Sequence, residues 1–208
     1  MIRSLAGVAL GLFVAACGAS PTPPSAPMST EYPGILHPPS ELSPDFAVEQ
    51  HVELTKGDRH GAFDGVLQKR GAELVLVGLG PMGVRAFVLR QDGAQARFEQ
   101  SMGPALPFPP RNVLVDIHRA FFKRLPLGDG APCGTQRGEL DGEDVTEIWK
   151  DGSLVERRFA RPTFREGSVR VLYGPGCTRA RCEPGTVRIV NEWFGYEITI
   201  DNRRYHWL

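Results

Sequence analysis

The stretch ELVLV-GLGPMG-VRAFVLR, residues 73–90, decides how this chain folds. Its centre, Gly78 to Gly83, matches the G-x-G-x-x-G turn of dinucleotide enzymes, which holds a pyrophosphate only when a helix follows. A strand-like run follows instead, Val84 to Arg90, and it ends at Gln91-Asp92-Gly93, a hairpin signal. The order strand, glycine turn, strand therefore predicts an antiparallel hairpin and argues against a nucleotide site.

The tip of this predicted hairpin carries a methionine. Pro81 fixes its own φ and pushes Gly80 out of the α region, which gives a stiff turn with Met82 at or near its tip. Two interpretations remain open. The turn is a surface hairpin with an exposed methionine, or Pro81 and Met82 form a loop that contacts a membrane or a ligand.

Strand-like runs surround the hairpin on both sides. Phe46 to Leu54 alternates apolar and polar residues, Ala62 to Arg70 follows, and Ala94 to Gln100 comes after the hairpin. Residues 127–144 are turn-rich, and five more runs come later: TEIWK, SLVERRFA, SVRVLY, TVRIVNEW and YEITID. Up to Gln100 the connections are too short for crossover helices, so we predict an antiparallel meander there.

One amphipathic helix interrupts the strands. In PPRNVLVDIHRAFFKRL, residues 109–125, apolar side chains recur at i, i+3 and i+4 spacing, which predicts about four helical turns. The stripe consists of Val113, Leu114, Ile117, Ala120, Phe121 and Leu125. Eight to eleven short strands with one helix between their two halves predict a mainly β (α+β) fold. We expect a strongly curved antiparallel sheet with the amphipathic helix on its concave side.

The first residues form a targeting segment. Arg3 supplies a positive charge, and Leu5 to Val14 is an apolar run too short to span a bilayer. Val14-Ala15-Ala16-Cys17 resembles the lipobox of bacterial lipoproteins, which implies that residues 1–16 are a signal peptide and that Cys17 is lipidated. The alternative is an ordinary signal peptide with a chance cysteine. Gly18 after the cysteine favours the outer membrane, by analogy with enterobacterial sorting.

Residues 17–44 are predicted to be a lipidated cysteine followed by a linker. Eight prolines fall between Gly18 and Pro44, with small polar residues among them. Such a composition cannot build a core, so we expect an extended, largely disordered tether and a folded domain over residues 45–208.

Composition limits the kinds of partner. The chain has 208 residues, 41% of them hydrophobic, which is enough for one ordinary core. Lys and Arg number 24, as do Asp and Glu, and no long basic run occurs. The electrostatic footprint of a nucleic-acid-binding protein is therefore lacking.

Catalytic sequence patterns were not found. The five histidines form neither HExxH nor an i, i+4 pair, and G-x-S-x-G does not occur. Asp116 and His118 are a candidate dyad, but residues two apart on a helix face away from each other. We interpret them as a solvated polar face. The sequence predicts no enzyme, no metal site and no cofactor.

Three cysteines remain if Cys17 is lipidated: Cys133, Cys177 and Cys182. In an oxidising compartment they allow one disulfide in three ways. Cys177 and Cys182 are the favoured pair, because CTRARC lies between two strands and closes a short loop. A zinc site is the alternative, but it would need a fourth ligand and closer spacing of the third cysteine.

The order of these features resembles the outer-membrane lipoprotein acceptor LolB, and more closely an uncharacterised bacterial lipoprotein family that shares the LolA/LolB fold. The similarity runs from Phe46 to Trp207 through the GPMG hairpin, LPFPP, the helix that ends in KRLP, and YEITID. It implies an incomplete β-barrel whose cavity holds acyl chains under a lid helix, with Val113, Leu114, Ile117 and Phe121 facing the cavity. A protruding hairpin-tip leucine helps LolB-like proteins place lipid in the membrane, and Met82 takes that position here.

Three functions follow as hypotheses. The first is a lipid-anchored protein of the periplasmic face of the outer membrane that binds or transfers an acylated cargo, a lipid or a lipoprotein, with a periplasmic carrier protein as a further partner. The second is a non-catalytic lipoprotein subunit of an envelope biosynthesis or secretion machine. The third is an envelope hydrolase.

Overall fold

The computed structural model describes residues 31–101, 108–126, 133–161, 163–164 and 167–208. Five strands precede the helix: β1 (Phe46–Lys56), β2 (Arg59–Arg70), β3 (Glu73–Leu79), β4 (Arg85–Asp92) and β5 (Gln95–Gln100). Six strands follow it: β6 (Gly134–Leu140), β7 (Glu143–Lys150), β8 (Ser153–Ala160), β9 (Val169–Tyr173), β10 (Thr186–Asn191) and β11 (Tyr196–Trp207).

All eleven strands belong to one antiparallel sheet in the order β5-β4-β3-β2-β1-β11-β10-β9-β8-β7-β6. The chain winds outward from β1 to the edge at β5, crosses by way of the helix to the other edge at β6, and returns to pair β11 with β1. The sheet therefore stays open between β5 and β6. This confirms the prediction of a mainly β, curved antiparallel sheet that forms an incomplete barrel.

The glycine-rich stretch is the turn of the β3–β4 hairpin, as the sequence predicts. Gly78 pairs with Phe87, and the ring of Phe87 lies where a side chain at position 78 would stand. Pro81–Gly83 form a single 3-10 turn, in which Met82 has a φ of 59° and 97% of its surface exposed. A strand follows the glycines, so no helix N-terminus is available for a phosphate.

Helix α1 (Pro110–Ile117) is shorter than the predicted four turns. It continues as a π-helical turn, His118–Phe122, in which the amide of Lys123 donates to the carbonyl of His118 at 2.8 Å. The wider turn breaks the 3.6-residue periodicity on which the prediction rests. Leu125 is buried but lies beyond the helix.

Two other predictions are wrong in part. Gly134–Leu140, expected within a turn-rich segment, form β6, an exposed edge strand whose only neighbour in the sheet is β7. Residues 31–44, expected in the disordered linker, pack on the domain, where Tyr32 and Leu36 are only 5% and 4% exposed. The prediction rested on the number of prolines, whereas the burial of these two side chains holds the segment on the domain.

The buried apolar residues form two clusters on either side of α1. One lies mainly under β1 to β4 and includes Tyr32, Leu36, Leu114, Val115 and Ile117. The other lies under β7 to β11 and includes Ala120 and Leu125 from the helical segment and its C-terminal extension. The helix thus joins the two halves of the sheet across its concave side. Within the described ranges, no helix is long and apolar enough to cross a membrane.

Candidate functional site

A pocket of about 60 Å³ lies between α1 and the concave face of the sheet. We call it the inner pocket. Its walls are aliphatic and aromatic side chains from β1 to β4, β10, β11 and the helical segment, with Gln50 and Asp116 as the polar members. They include Val52, Leu54, Phe63, Phe87, Phe108, Val113, Ile117, Phe121, Ile198 and Ile200.

The helix residues predicted to face a cavity divide into two groups. Val113, Ile117 and Phe121 line the inner pocket. Leu114 is fully buried among the apolar residues under β1 to β4 and does not line it. The hairpin tip with Pro81 and Met82 also lies outside the pocket, at the end of the sheet where Phe63 and Phe87 pack with ring centroids 5.0 Å apart.

Asp116 is buried at the edge of the inner pocket, which corrects its interpretation as a solvated residue. It is 1% exposed and accepts hydrogen bonds from the hydroxyls of Tyr32 and Tyr196. The guanidinium of Arg119 donates to Asp116 at 2.9 Å and to the Tyr32 hydroxyl at 3.0 Å. Burial raises the pKa of the Asp116 carboxyl, whereas Arg119 and the two hydroxyls act in the opposite direction.

Arg119 extends this network into the second half of the sheet. Its side chain is fully buried and donates to Glu143 on β7 at 2.5 Å and to the carbonyl of Pro33 at 2.8 Å. Lys123 adds a second cation to this network, because its amine lies 2.8 Å from Asp141 and 3.7 Å from Glu143. Residues from the segment before β1, the helix and the β6–β7 hairpin are thus held by one cluster of paired charges.

His118 is also buried, so its interpretation as solvated is wrong as well. It points away from Asp116, as the helical spacing predicts, and its Nε2 lies 2.7 Å from Oε1 of Gln91 on β4. The amide nitrogen of Gln91 already donates to the carbonyls of His37 and Gly93, so Nε2 of His118 is the donor to Gln91. Burial, together with the nearby Lys123, lowers the pKa of His118 to about 3.

A second buried ion pair holds the C-terminal end of the helix. Arg157 on β8 pairs with Glu147 on β7 at 2.7 Å and donates to the carbonyl of Arg119 at 3.1 Å. The hydroxyl of Tyr173 on β9 donates to the carbonyl of Ala120 at 2.9 Å. Removing one partner of a buried pair typically costs about 3 to 5 kcal/mol, so this end of the helix is fixed to the sheet.

A second and larger cavity, of about 540 Å³, opens at the other end of β1. We call it the outer groove. Its lining consists of Ser43, Pro44, Phe46, Phe121, Phe122, Arg124, Ala180, Arg181, Cys182, Tyr205 and Trp207. The groove therefore has aromatic walls and two arginines, and its lining contains no carboxylate from the described residues.

The cysteines divide by position. Cys177 and Cys182 form a disulfide in the β9–β10 connection, and this loop forms one wall of the outer groove. Cys133 is exposed and unpaired. The described part of the chain contains no group of three or more His, Cys, Asp or Glu side chains that could hold a metal ion. Cys17 lies outside the described residues.

Sequence reasoning missed the buried polar network. Its members come from the segment before β1, the helix and strands β7 and β10, as with Tyr32, Arg119, Glu143 and Asn191. The spacing gave no local signal for it, because Arg119 lies off the apolar stripe of the helix. Its partners are distant in sequence, so spacing alone does not identify them.

A protein-family model described as "Protein of unknown function (DUF3261)" matches residues 47–203. No curated protein matches the chain. Similar solved structures include a LolA superfamily protein from Nitrosomonas europaea, at 11% identity and a TM-score of 0.42, over 79% of this chain and 86% of that one.

An outer membrane lipoprotein-sorting protein domain from Vibrio parahaemolyticus is similar at 8% identity and a TM-score of 0.45, over 81% of this chain and 87% of that one. A DUF1329 family protein from Desulfovibrio piger is similar at 11% identity and a TM-score of 0.39, over 81% and 87% of the two chains. At these identities the likeness concerns the fold alone. One of these structures is a member of the LolA superfamily, whose fold the sequence resembles.

Proposed function

The chain belongs to the DUF3261 family, and we propose that it binds an acylated ligand, a lipid or the acyl chains of a lipid-modified protein, in the inner pocket. The observation that carries this proposal is the pocket itself, an apolar space retained between the helix and the concave face of an otherwise packed sheet. Each methylene that leaves water for such a space contributes about 0.8 kcal/mol to binding.

The inner pocket has to widen to hold such a ligand. Its volume is about 60 Å³, whereas binding sites for small molecules usually measure about 300 to 1,000 Å³. Several of its walls are only half-buried, among them Leu54, Phe63, Phe87, Val113 and Phe121. These side chains have room to change rotamer, so the pocket can widen without unfolding of the sheet.

The position of the ligand site relative to the hairpin tip supports a role at a membrane. The tip with Met82 lies at the same end of the sheet as Phe63 and Phe87, which line the inner pocket. We infer that Cys17 anchors the chain to the periplasmic face of the outer membrane. The exposed Met82 then contacts the lipid into which the cargo is delivered.

Blocking the inner pocket tests the proposal. Leu54→Trp places a large side chain in the pocket, and Glu53→Trp places the same side chain on the opposite, exposed face of β1. In the full chain with Cys17→Ser, Leu54→Trp should weaken binding of a fluorescent long-chain fatty acid by about tenfold or more, with Glu53→Trp unchanged.

Thermal melting of both variants controls for folding, because overpacking a core costs about 1 to 3 kcal/mol. Equal fatty-acid affinity in the two folded variants would remove the inner pocket as the ligand site. Mass spectrometry of lipids that co-purify with the unaltered chain would identify the natural ligand.

A further inference from the structure

The inner pocket and the outer groove lie in line along the concave face of β1. Phe46 lines the groove, whereas Gln50, Val52 and Leu54 line the pocket. Every second residue of β1 lies on this face, and the nine residues from Phe46 to Leu54 span about 26 Å. The two cavities therefore form successive parts of one concave surface.

Phe121 separates them. It is half-buried, lines both cavities, and packs against Phe46 with ring centroids 6.0 Å apart. Its backbone is fixed, because the carbonyls of Arg119 and Ala120 are held by Arg157 and Tyr173. Rotation of the Phe121 ring would join the two cavities at a lower cost than lifting the helix, which would break buried ion pairs.

Charge distinguishes the outer groove from the inner pocket. Arg181 stacks on Trp207, with its guanidinium carbon 4.6 Å from the ring centroid, and pairs with Glu183, so its charge is compensated. Arg124 is exposed and forms no ion pair with any residue that the structure describes. Partial burial and the cation Arg157 lower the pKa of Arg124, whereas Tyr173 and Glu147 act in the opposite direction. An anion in the groove would supply the missing partner of Arg124.

We propose that the outer groove receives an amphiphile with one anionic head group, a carboxylate or a phosphate. The head group pairs with Arg124, and the acyl chain passes Phe121 into the inner pocket. This inference rests on the proposed function, since it adds the chemistry of the head group and the route of the chain. It explains why aromatic rings, which suit the upper part of an acyl chain, surround an arginine that forms no ion pair with any described residue.

The test compares two probes that differ only in charge, a fluorescent long-chain fatty acid and the corresponding fatty alcohol. The full chain with Cys17→Ser should bind the acid about tenfold more tightly, which corresponds to about 1.4 kcal/mol. Arg124→Gln should abolish this preference and leave the affinity for the alcohol unchanged. Arg137→Gln, on the exposed edge strand β6, is the matched control and should retain the preference.

The role of Phe121 is measured by kinetics. Phe121→Leu, and Phe121→Ala if it stays folded, should raise both the association and the dissociation rate of the fatty acid by about tenfold, with a smaller change in affinity. A side chain that only stabilises the fold would not raise both rates together. Unchanged rates in a folded variant would overturn the gating role.

The outcomes separate the two proposals. Failure of both probes to bind would contradict the proposed function. Binding of both probes with equal affinity, or an acid preference that survives Arg124→Gln, would overturn the head-group inference alone. Inorganic phosphate should compete only weakly with the fatty acid. Strong competition through Arg124 would mean that the groove binds a free anion and not an amphiphile.

Discussion

Two features of Met82 make a methionine unfavourable at this position, unless its exposed side chain contacts another molecule. It is 97% exposed, and its backbone is in the left-handed region with a φ of 59°, where glycine or asparagine is more usual. Val84 beside it is 47% exposed. The tip therefore presents an apolar patch from a stiff turn, which lowers the entropy cost of contact with a membrane.

Met82→Glu should weaken binding to phospholipid vesicles by about tenfold or more, because burying one methionine contributes about 1.5 to 3 kcal/mol. Met82→Leu, which keeps an apolar side chain, should bind as the unaltered chain does. Co-sedimentation of the Cys17→Ser protein with vesicles measures the effect. Stability should change by no more than about 0.5 kcal/mol. A Met82→Glu chain that melts normally and still sediments with vesicles would remove the membrane role.

At the scale of elements, the helix is attached differently to the two halves of the sheet. Arg119 and Lys123 pair with Glu143 and Asp141 near β7, so charged groups hold the second half. Towards the first half, His118 donates one neutral hydrogen bond to Gln91 on β4. Its Nδ1 is buried without a partner among the described residues. Protonation of Nδ1 would place a positive charge near Lys123, and the new N–H would have no acceptor among the described residues.

This attachment predicts a pH dependence. The folded pKa of His118 is about 3, below the ordinary value, so the unfolded chain binds the proton more readily and stability falls as pH decreases. His118→Gln retains an amide donor for Gln91 and does not titrate. Relative to this variant, the unaltered chain should lose about 1.4 kcal/mol of unfolding free energy between about pH 7.5 and about pH 5.5.

Urea denaturation of both proteins at the two pH values measures the difference, and contributions from other groups cancel in the comparison. Parallel pH profiles would show that the pKa of His118 is the same in the folded and the unfolded chain. The control is His51→Gln on the outer face of β1, where the ring is partly exposed and bonded to Asp64.

At the scale of the whole molecule, the segment before β1 is part of the domain. The hydroxyl of Tyr32 contacts Asp116, Arg119, Asn191 and Tyr196, which lie on the helix, β10 and β11. Arg111 also donates to the carbonyls of Tyr32 and Gly34, at 3.0 and 2.7 Å. The folded unit therefore begins before the predicted boundary at residue 45.

A chain that begins at Asp45 should accordingly be less stable than one that begins at Glu31, by about 3 kcal/mol or more. It loses the burial of Tyr32 and Leu36 and leaves Asp116 and Arg119 with fewer partners. Urea denaturation of the two chains measures the difference. Tyr32→Phe in the longer chain should account for about 1 to 3 kcal/mol of it. Equal midpoints would mean that the segment only rests on the surface.

The sequence by itself determined the local features of this protein. Alternation along β1, the glycine turn of the β3–β4 hairpin and the short connections predicted an antiparallel sheet, because such patterns depend on neighbours in the chain. The tertiary structure decided which polar residues are buried. Asp116, His118 and Arg119 have the spacing of a solvated helix face, and they are buried because partners from distant segments, such as Tyr32, Gln91 and Glu143, meet them. Only folding brings those partners together and compensates the loss of water around each charge.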